Sequence, residues 1–318
     1  MKGDILIFAP LCLLLSWMLP VDSKTATFII SLPKANPGIR MSMVADAVDD
    51  MYFGCHDKMK KMVMDKYFKS ESKAEFGEAW KAAEACRNNH KDKKDKALTK
   101  DHLQAICVYT SDEPELYQKF NHAVRTNRTD YGTSFSFHSL HFWLTSALQI
   151  LNNNRKCHIT YRRTNMVFTG DVNQIIRFGF FASSSYKPNL TEFGTTTCFI
   201  IKTCSGAYLK KYSHFKDEEQ EVLIPPYEKF RITKKMENNF VAGLKDCKYV
   251  FSLESAGVDS NLNCKAAEQE VLIPPYETFK ITKKMENNFE PGLEDCDVVF
   301  SLESAGVVSN LNCKAAGL

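Results

Sequence analysis

The chain has 318 residues, 44% hydrophobic and 25% charged, with a formal net charge of +3. That length supports one large or two medium domains with a sizeable core. The near-neutral balance, with no basic stripe interleaved with aromatics, argues against nucleic-acid binding.

Residues 1–23 read as a secretory signal peptide: Lys2, an apolar run from Ile5 to Leu19, and Val21-Asp22-Ser23 at the cleavage positions. Pro10 and Pro20 interrupt the run, which is short for a ~30 Å bilayer core, so a signal anchor is disfavoured. No other stretch is apolar enough to span. The end, Lys314 to Leu318, forms no hydrophobic tail of the kind a GPI signal needs. The expectation is a soluble, secreted mature protein. Of eleven cysteines, ten remain once Cys12 leaves with the signal, and an even count in an exported chain implies disulfides. There is no C-x-x-C pair, which argues against zinc. Asn127-Arg128-Thr129 and Asn189-Leu190-Thr191 are glycosylation sequons, consistent with export.

Residues 24–40 form an irregular lead-in with Pro33, Pro37 and Gly38. From Ser42 to about Ala85 the apolar spacing is helical, including Met59, Met62, Val63, Tyr67, Phe76 and Trp80. Lys91 to Lys96 is a charged loop, read as solvated surface. Leu103 to Thr110 reads as a strand or buried turn, and Glu113 to Arg125 as a helix. His138 to Leu151 is a strongly amphipathic helix with Leu140, Trp143, Leu144, Ala147 and Leu148 on one face. His138 and His141 lie i, i+3 within it. No third ligand accompanies them, so a structural role is favoured over a metal.

From Cys157 onward strands dominate: 158–162, 175–182, 196–203, 208–213, 221–224, 229–233 and 248–253, rich in Ile, Val, Phe, Tyr and Thr. A helical front (42–151) and a β-rich back (157–267) predict an α+β fold rather than alternating α/β. Residues 219–267 then recur as 268–316, so Cys247 and Cys264 are copied as Cys296 and Cys313. Two near-identical copies are too few for a solenoid. The copy, a few strands of a larger sheet, must dock on an edge, stay loose, or compete with the first copy for one place.

The first copy opens on Glu219-Gln220-Glu221-Val222-Leu223-Ile224-Pro225-Pro226. If Glu221 opens a strand, period-2 alternation puts Glu219 on the same face. Paired carboxylates repel unless a cation or cationic transition state lies between them. In isolation the pair reads as an acidic loop. Ahead of it stand Tyr161-Arg162 at a strand end and Ala182-Ser183-Ser184-Ser185. In that order, arginine, serine and paired glutamate resemble the R-S-E-x-E signature of arginine-specific mono-ADP-ribosyltransferases. Tyr52-Phe53-Gly54-Cys55, Phe137 to Thr145, Arg177-Phe178-Gly179 and Phe199 to Cys204 extend the resemblance to the vertebrate ecto-enzymes over about residues 45–267.

The resemblance implies a helical N-terminal part packed on a β-sandwich NAD-binding core, with NAD⁺ as co-substrate and no metal. It implies that Arg162 meets the pyrophosphate, a bidentate match for a guanidinium, with Tyr161 beside it in the cofactor site. It implies that Ser183 works near the nicotinamide ribose and places Glu221. Glu221 would stabilise positive charge on the ribose as nicotinamide leaves. Glu219 would orient the acceptor guanidinium and take up its proton. The partners implied are extracellular or cell-surface proteins with exposed arginine. It also implies Cys55–Cys264 and Cys157–Cys204 bridges, with Cys313 able to replace Cys264; the pairing of Cys86, Cys107, Cys198, Cys247 and Cys296 is left open. Arg163 departs from the glycine many relatives carry. Glu268 and Glu270 repeat both carboxylates without a second arginine or serine element, so the copy is expected to be idle. The rival readings are an NAD⁺ glycohydrolase that uses water and an inactive secreted binding protein.

Overall fold

The computed structural model describes residues 38–73, 75–88, 95–111, 114–152, 156–215, 218–237, 241–267, 277–286 and 298–307. The signal segment, the Glu268-Gln269-Glu270 stretch, Cys296 and Cys313 lie outside them. The chain divides into two compact units, Met1–Ala267 and Glu268–Leu318.

The first unit opens with β1 (Ile39–Arg40) and a long irregular strap, not the helix expected from residue 42. Val44, Tyr52 and Gly54 have φ of 47°, 58° and 82°, which no helix tolerates. Asp49 and Asp50 are wholly buried there and act as acceptors. Asp49 takes Arg177 Nη1 at 2.7 Å and the Leu262 amide at 2.9 Å; Asp50 takes the Tyr52 amide at 2.7 Å and the Tyr131 hydroxyl at 2.8 Å. Helical structure begins at α1 (His56–Met62), passes through a π-helical turn (Val63–Tyr67) into α2 (Phe68–Glu71), and resumes as α3 (Glu75–Ala82) and α4 (Glu84–Asn88).

The stretch read as a strand or turn is a helix, α5 (Lys100–Tyr109). Thr99 and His102 form a reciprocal capping box at its start, with His102 where Glu or Gln is usual. Every residue from His102 to Tyr109 is buried, so no polar stripe gives away its period. Then follow α6 (Pro114–Thr126) and α7 (His138–Leu151), both where the amphipathic spacing put them. α7 has no side-chain cap of its own. Glu71 supplies it, accepting the His138 and Ser139 amides at 2.8 and 3.0 Å, where an anion also suits the helix dipole.

The β region comprises β2 (His158–Thr164), β3 (Phe168–Thr169), β4 (Ile175–Arg177), β5 (Ala182–Ser185), β6 (Thr197–Thr203), β7 (Ala207–Tyr208), β8 (Glu221–Ile224), β9 (Glu228–Glu237) and β10 (Tyr249–Val258). The single run expected over 175–182 breaks into β4 and β5 around Gly179, whose φ is 72° and whose missing Cβ leaves room for Val44. The strand expected over 208–213 stops at Tyr208 and becomes a 3₁₀ turn at Lys210–Tyr212.

Eight strands hydrogen-bond in the order β4-β9-β10-β6-β2-β5-β8-β7, with β10–β6 parallel and the other neighbours antiparallel. The expected sandwich is therefore one continuous sheet closing over itself. Phe199, Phe230, Ile232, Phe251 and Leu253 from one half meet Ala182 and Ile224 from the other in a shared core. The halves are linked where Tyr161 pairs with Ser185. A second core joins the helices to Phe181, Ala207, Leu209 and Leu223, giving the α+β packing.

Four disulfides staple the unit: Cys55–Cys264 and Cys157–Cys204, as the resemblance implied, and Cys86–Cys107 and Cys198–Cys247. Part of the charged loop is not simply solvated, since Asp95 accepts Lys210 Nζ at 2.7 Å and the Tyr212 hydroxyl at 2.9 Å.

In the second unit, β11 (Glu277–Glu286) and β12 (Val298–Val307) form an antiparallel hairpin.

Candidate active site

The candidate site lies where the two halves of the sheet part. β2 and β5 pair at Tyr161–Ser185 and then separate. The Arg162 guanidinium bridges the opening, with Nη1 donating to the Ser183 carbonyl at 2.7 Å and Cζ 5.7 Å from the centroid of the Phe180 ring. Arg162 is half-buried, and among the described residues its other N–H groups are left to donate to a pair of anionic oxygens.

The neighbouring arginine does different work. Side chains alternate along β2, so Arg163 points away from Arg162. It is buried and donates to both Asp246 oxygens at 2.7 and 2.9 Å and to the carbonyls of Pro188, Gly194 and Gly243. Tyr161 shares that outer face, packing beside Cys198, Leu244, Cys247 and Val250. The structure thus gathers Arg162 and Ser183, and does not bring the Tyr161 ring to them.

Glu221 is the first residue of β8, opposite Ser185, and 6% exposed. Its carboxyl is pushed up to about 7, chiefly by burial. The Ser183 hydroxyl bonds to it and draws the value down, the Glu219 charge raises it, and Arg162 lowers it. The Ser213 hydroxyl stands 3.5 Å from Glu221 Oε2, and Tyr109 of α5 is close enough for the Glu221 charge to raise its phenol further. Sequence reading missed Ser213 and Tyr109; neither sits in a motif, and both arrive through the fold.

Glu219 is not placed by strand alternation, contrary to expectation. Gln220 has φ of 46°, so Glu219 precedes the strand across a left-handed turn. The turn is held on both sides: Ser185 Oγ donates to the Glu219 carbonyl, and the Tyr186 amide donates to the Gln220 carbonyl at 3.3 Å. Glu219 is half-buried and remains within electrostatic reach of Glu221. Ser184 faces away and bonds to the Val222 carbonyl at 2.7 Å.

His138 and His141 are absorbed into the helical core. His138 contacts Glu71 at 3.2 Å and the Tyr131 carbonyl at 2.7 Å; His141 contacts the Tyr52 hydroxyl at 2.6 Å and the Val48 carbonyl at 3.2 Å. Among the described residues, no group of three or more His, Cys, Asp or Glu could hold a metal ion, and no helix is long and apolar enough to cross a membrane.

The profile of the family described as NAD:arginine ADP-ribosyltransferase matches residues 41–248, a span that holds Arg162, Ser183, Glu219 and Glu221. The erythroblast NAD(P)(+)--arginine ADP-ribosyltransferase of Gallus gallus is 35% identical over 234 residues, 71% of this chain and 75% of that protein. Ecto-ADP-ribosyltransferase 5 of Rattus norvegicus is 35% identical over 238 residues, 70% of this chain and 76% of that protein. Among solved structures, a mutant of the eucaryotic mono-ADP-ribosyltransferase ART2.2 in complex with NADH superposes with a TM-score of 0.60 at 31% identity, covering 71% of this chain and 98% of that one. On this sequence and fold evidence, the chain belongs to the NAD:arginine ADP-ribosyltransferase family.

Proposed function

We propose that this protein is an exported mono-ADP-ribosyltransferase that splits NAD⁺, releases nicotinamide and joins ADP-ribose to arginine side chains of extracellular or cell-surface proteins. The observation that carries this reading is the buried Glu221, bonded by Ser183, with Arg162 and Glu219 in electrostatic reach.

The residues fit NAD⁺. Arg162 offers unused donors beside an aromatic face, which suits a pyrophosphate. NAD⁺ supplies the scissile bond to nicotinamide, whose cleavage leaves positive charge on the ribose. Glu221, ionised and shielded from water, stabilises that charge more strongly than a solvated carboxylate would. Ser183 fixes its orientation. Glu219, more exposed and set off by the turn at Gln220, faces the acceptor and takes its proton. We assign the working unit to residues 24–267, with residues 1–23 removed on export and 268–316 as a duplicate. N-glycans are assigned to Asn127 and to Asn189, the latter in an exposed turn.

The test is incubation of the mature, disulfide-intact protein with labelled NAD⁺ and agmatine. Labelled agmatine is the expected product. Nicotinamide release without labelled agmatine would replace transfer by hydrolysis, and no turnover at all would leave a binding protein.

A further inference from the structure

The second unit repeats the conformation of β9–β10 as well as its sequence. In the first hairpin Ile232 faces Leu253 and Met236 faces Val250; in the second Ile281 faces Leu302 and Met285 faces Val299. Both ladders slip at the same two places, and the glycine of the shared bulge has positive φ in each, 91° at Gly257 and 107° at Gly306. The copies differ at eight of 49 positions, among them Lys229/Thr278, Lys248/Asp297 and Tyr249/Val298. All eight fall on residues that are exposed or half-buried in the first copy, so every buried residue recurs unchanged.

The surroundings differ. Ile232, Phe251 and Leu253 are at most 1% exposed, whereas Ile281, Phe300 and Leu302 are 60%, 49% and 52% exposed. A two-stranded hairpin showing that much apolar surface is marginal by itself. The place that fits its face is known, because an identical face occupies it between β4 and β6.

We infer that either copy can occupy this place, so that the chain folds in two registers, the second putting Glu268 and Glu270 where Glu219 and Glu221 stand in the first. The partners on the invariant side serve both copies. Arg163 meets Asp246, Cys198 meets Cys247 and Cys55 meets Cys264, and the sequence offers each of them a copy of that partner in Asp295, Cys296 and Cys313. The choice is made during oxidative folding, or later by exchange. In exchange the Cys313 thiolate attacks Cys55 Sγ, a new S–S bond forms, and Cys264 leaves as a thiolate with no net oxidation. The second register lengthens the connection from Tyr212 to the catalytic strand from 8 to 57 residues. Closure probability falls as the three-halves power of length, which favours the first register about 20-fold.

Two readouts on the full chain test this. Peptide mapping is expected to find Cys55 joined to Cys313 in about 5% of molecules, while Cys157–Cys204 and Cys86–Cys107, which have no copies, stay whole. The activity arm rests on the proposed transferase reading. There, Glu221→Gln is expected to keep about 5% of agmatine labelling, the share of the second register, and the double variant Glu221→Gln/Glu270→Gln to lose it. A Cys55–Cys313 bridge with no residual labelling upholds the exchange and counts against the catalytic assignment. Cys55 bridged to Cys264 alone, with single and double variants alike, overturns the inference.

Discussion

Glu221 is held in a place that disfavours its ionised form, and the size of that conflict can be measured. Its carboxyl is raised from 4.5 to about 7. A carboxyl raised in the folded state binds its proton more tightly there than in the unfolded chain. Its contribution to stability is therefore fully present below about pH 4.5 and is lost as pH rises through about 7. That rise corresponds to about 3 kcal/mol of destabilisation once Glu221 is ionised. Glu221→Gln keeps the shape and removes the charge. It is expected to melt close to the wild type at pH 4 and roughly 6–12 °C above it at pH 8, at the 2–4 °C per kcal/mol typical of a unit this size. Paired thermal or urea melts across pH 4–9 give the curve. The same ionisation should govern turnover, with kcat/KM for NAD⁺ falling about tenfold per pH unit below 7. A wild type more stable than Glu221→Gln at pH 8, or a pH-independent difference, would refute the account of a charge strained by burial.

Glu219→Gln is expected to abolish agmatine labelling while leaving nicotinamide release, and to move the acidic limb of the release profile downward, because the Glu219 charge helps raise Glu221. The two adjacent arginines should separate cleanly. Arg162→Lys should raise KM for NAD⁺ tenfold or more with little change in melting, since a lysine cannot make the bidentate contact. Arg163→Ala should lower stability by about 2–3 kcal/mol by leaving three carbonyls without their buried donor, while the more exposed Asp246 turns to water, measured by urea denaturation. Replacing Cys157 and Cys204 by serine opens a 47-residue separation and should lower stability by about 4 kcal/mol in the same assay.

What could be read from sequence, and what could not, follows from where each signal resides. α7 and β8 were legible because a period of 3.6 or 2 survives wherever one face is buried. α5 was not, because a helix buried on all sides shows only an apolar run, and its cap uses His102 in an unusual role. The strap at 41–55 carries helix-like spacing, but backbone handedness at Val44, Tyr52 and Gly54 overrides it. The order of Arg162, Ser183 and Glu221 was visible through resemblance. That Arg162 and not Arg163 faces the opening depends on strand parity at the parting of β2 and β5. The turn at Gln220 shows the limit of parity, because one left-handed residue detaches Glu219 from the alternation.

The strap also sets the order in which the molecule can be completed. The Leu262 and Cys264 amides bond to Asp49 and Asp50, the Met51 amide donates to Ser260, and Asn263 exchanges hydrogen bonds with the Phe53 backbone. The Cys55–Cys264 bridge spans 209 residues across the same seam. The strap, made early, therefore waits, unlatched and with two carboxylates still in water, until nearly the last residue of the unit has been made. Closure of this seam waits for the end of the unit, and contacts so distant in sequence make it slow. The newborn unit thus keeps its N-terminal strap open until the segment that closes over it is complete.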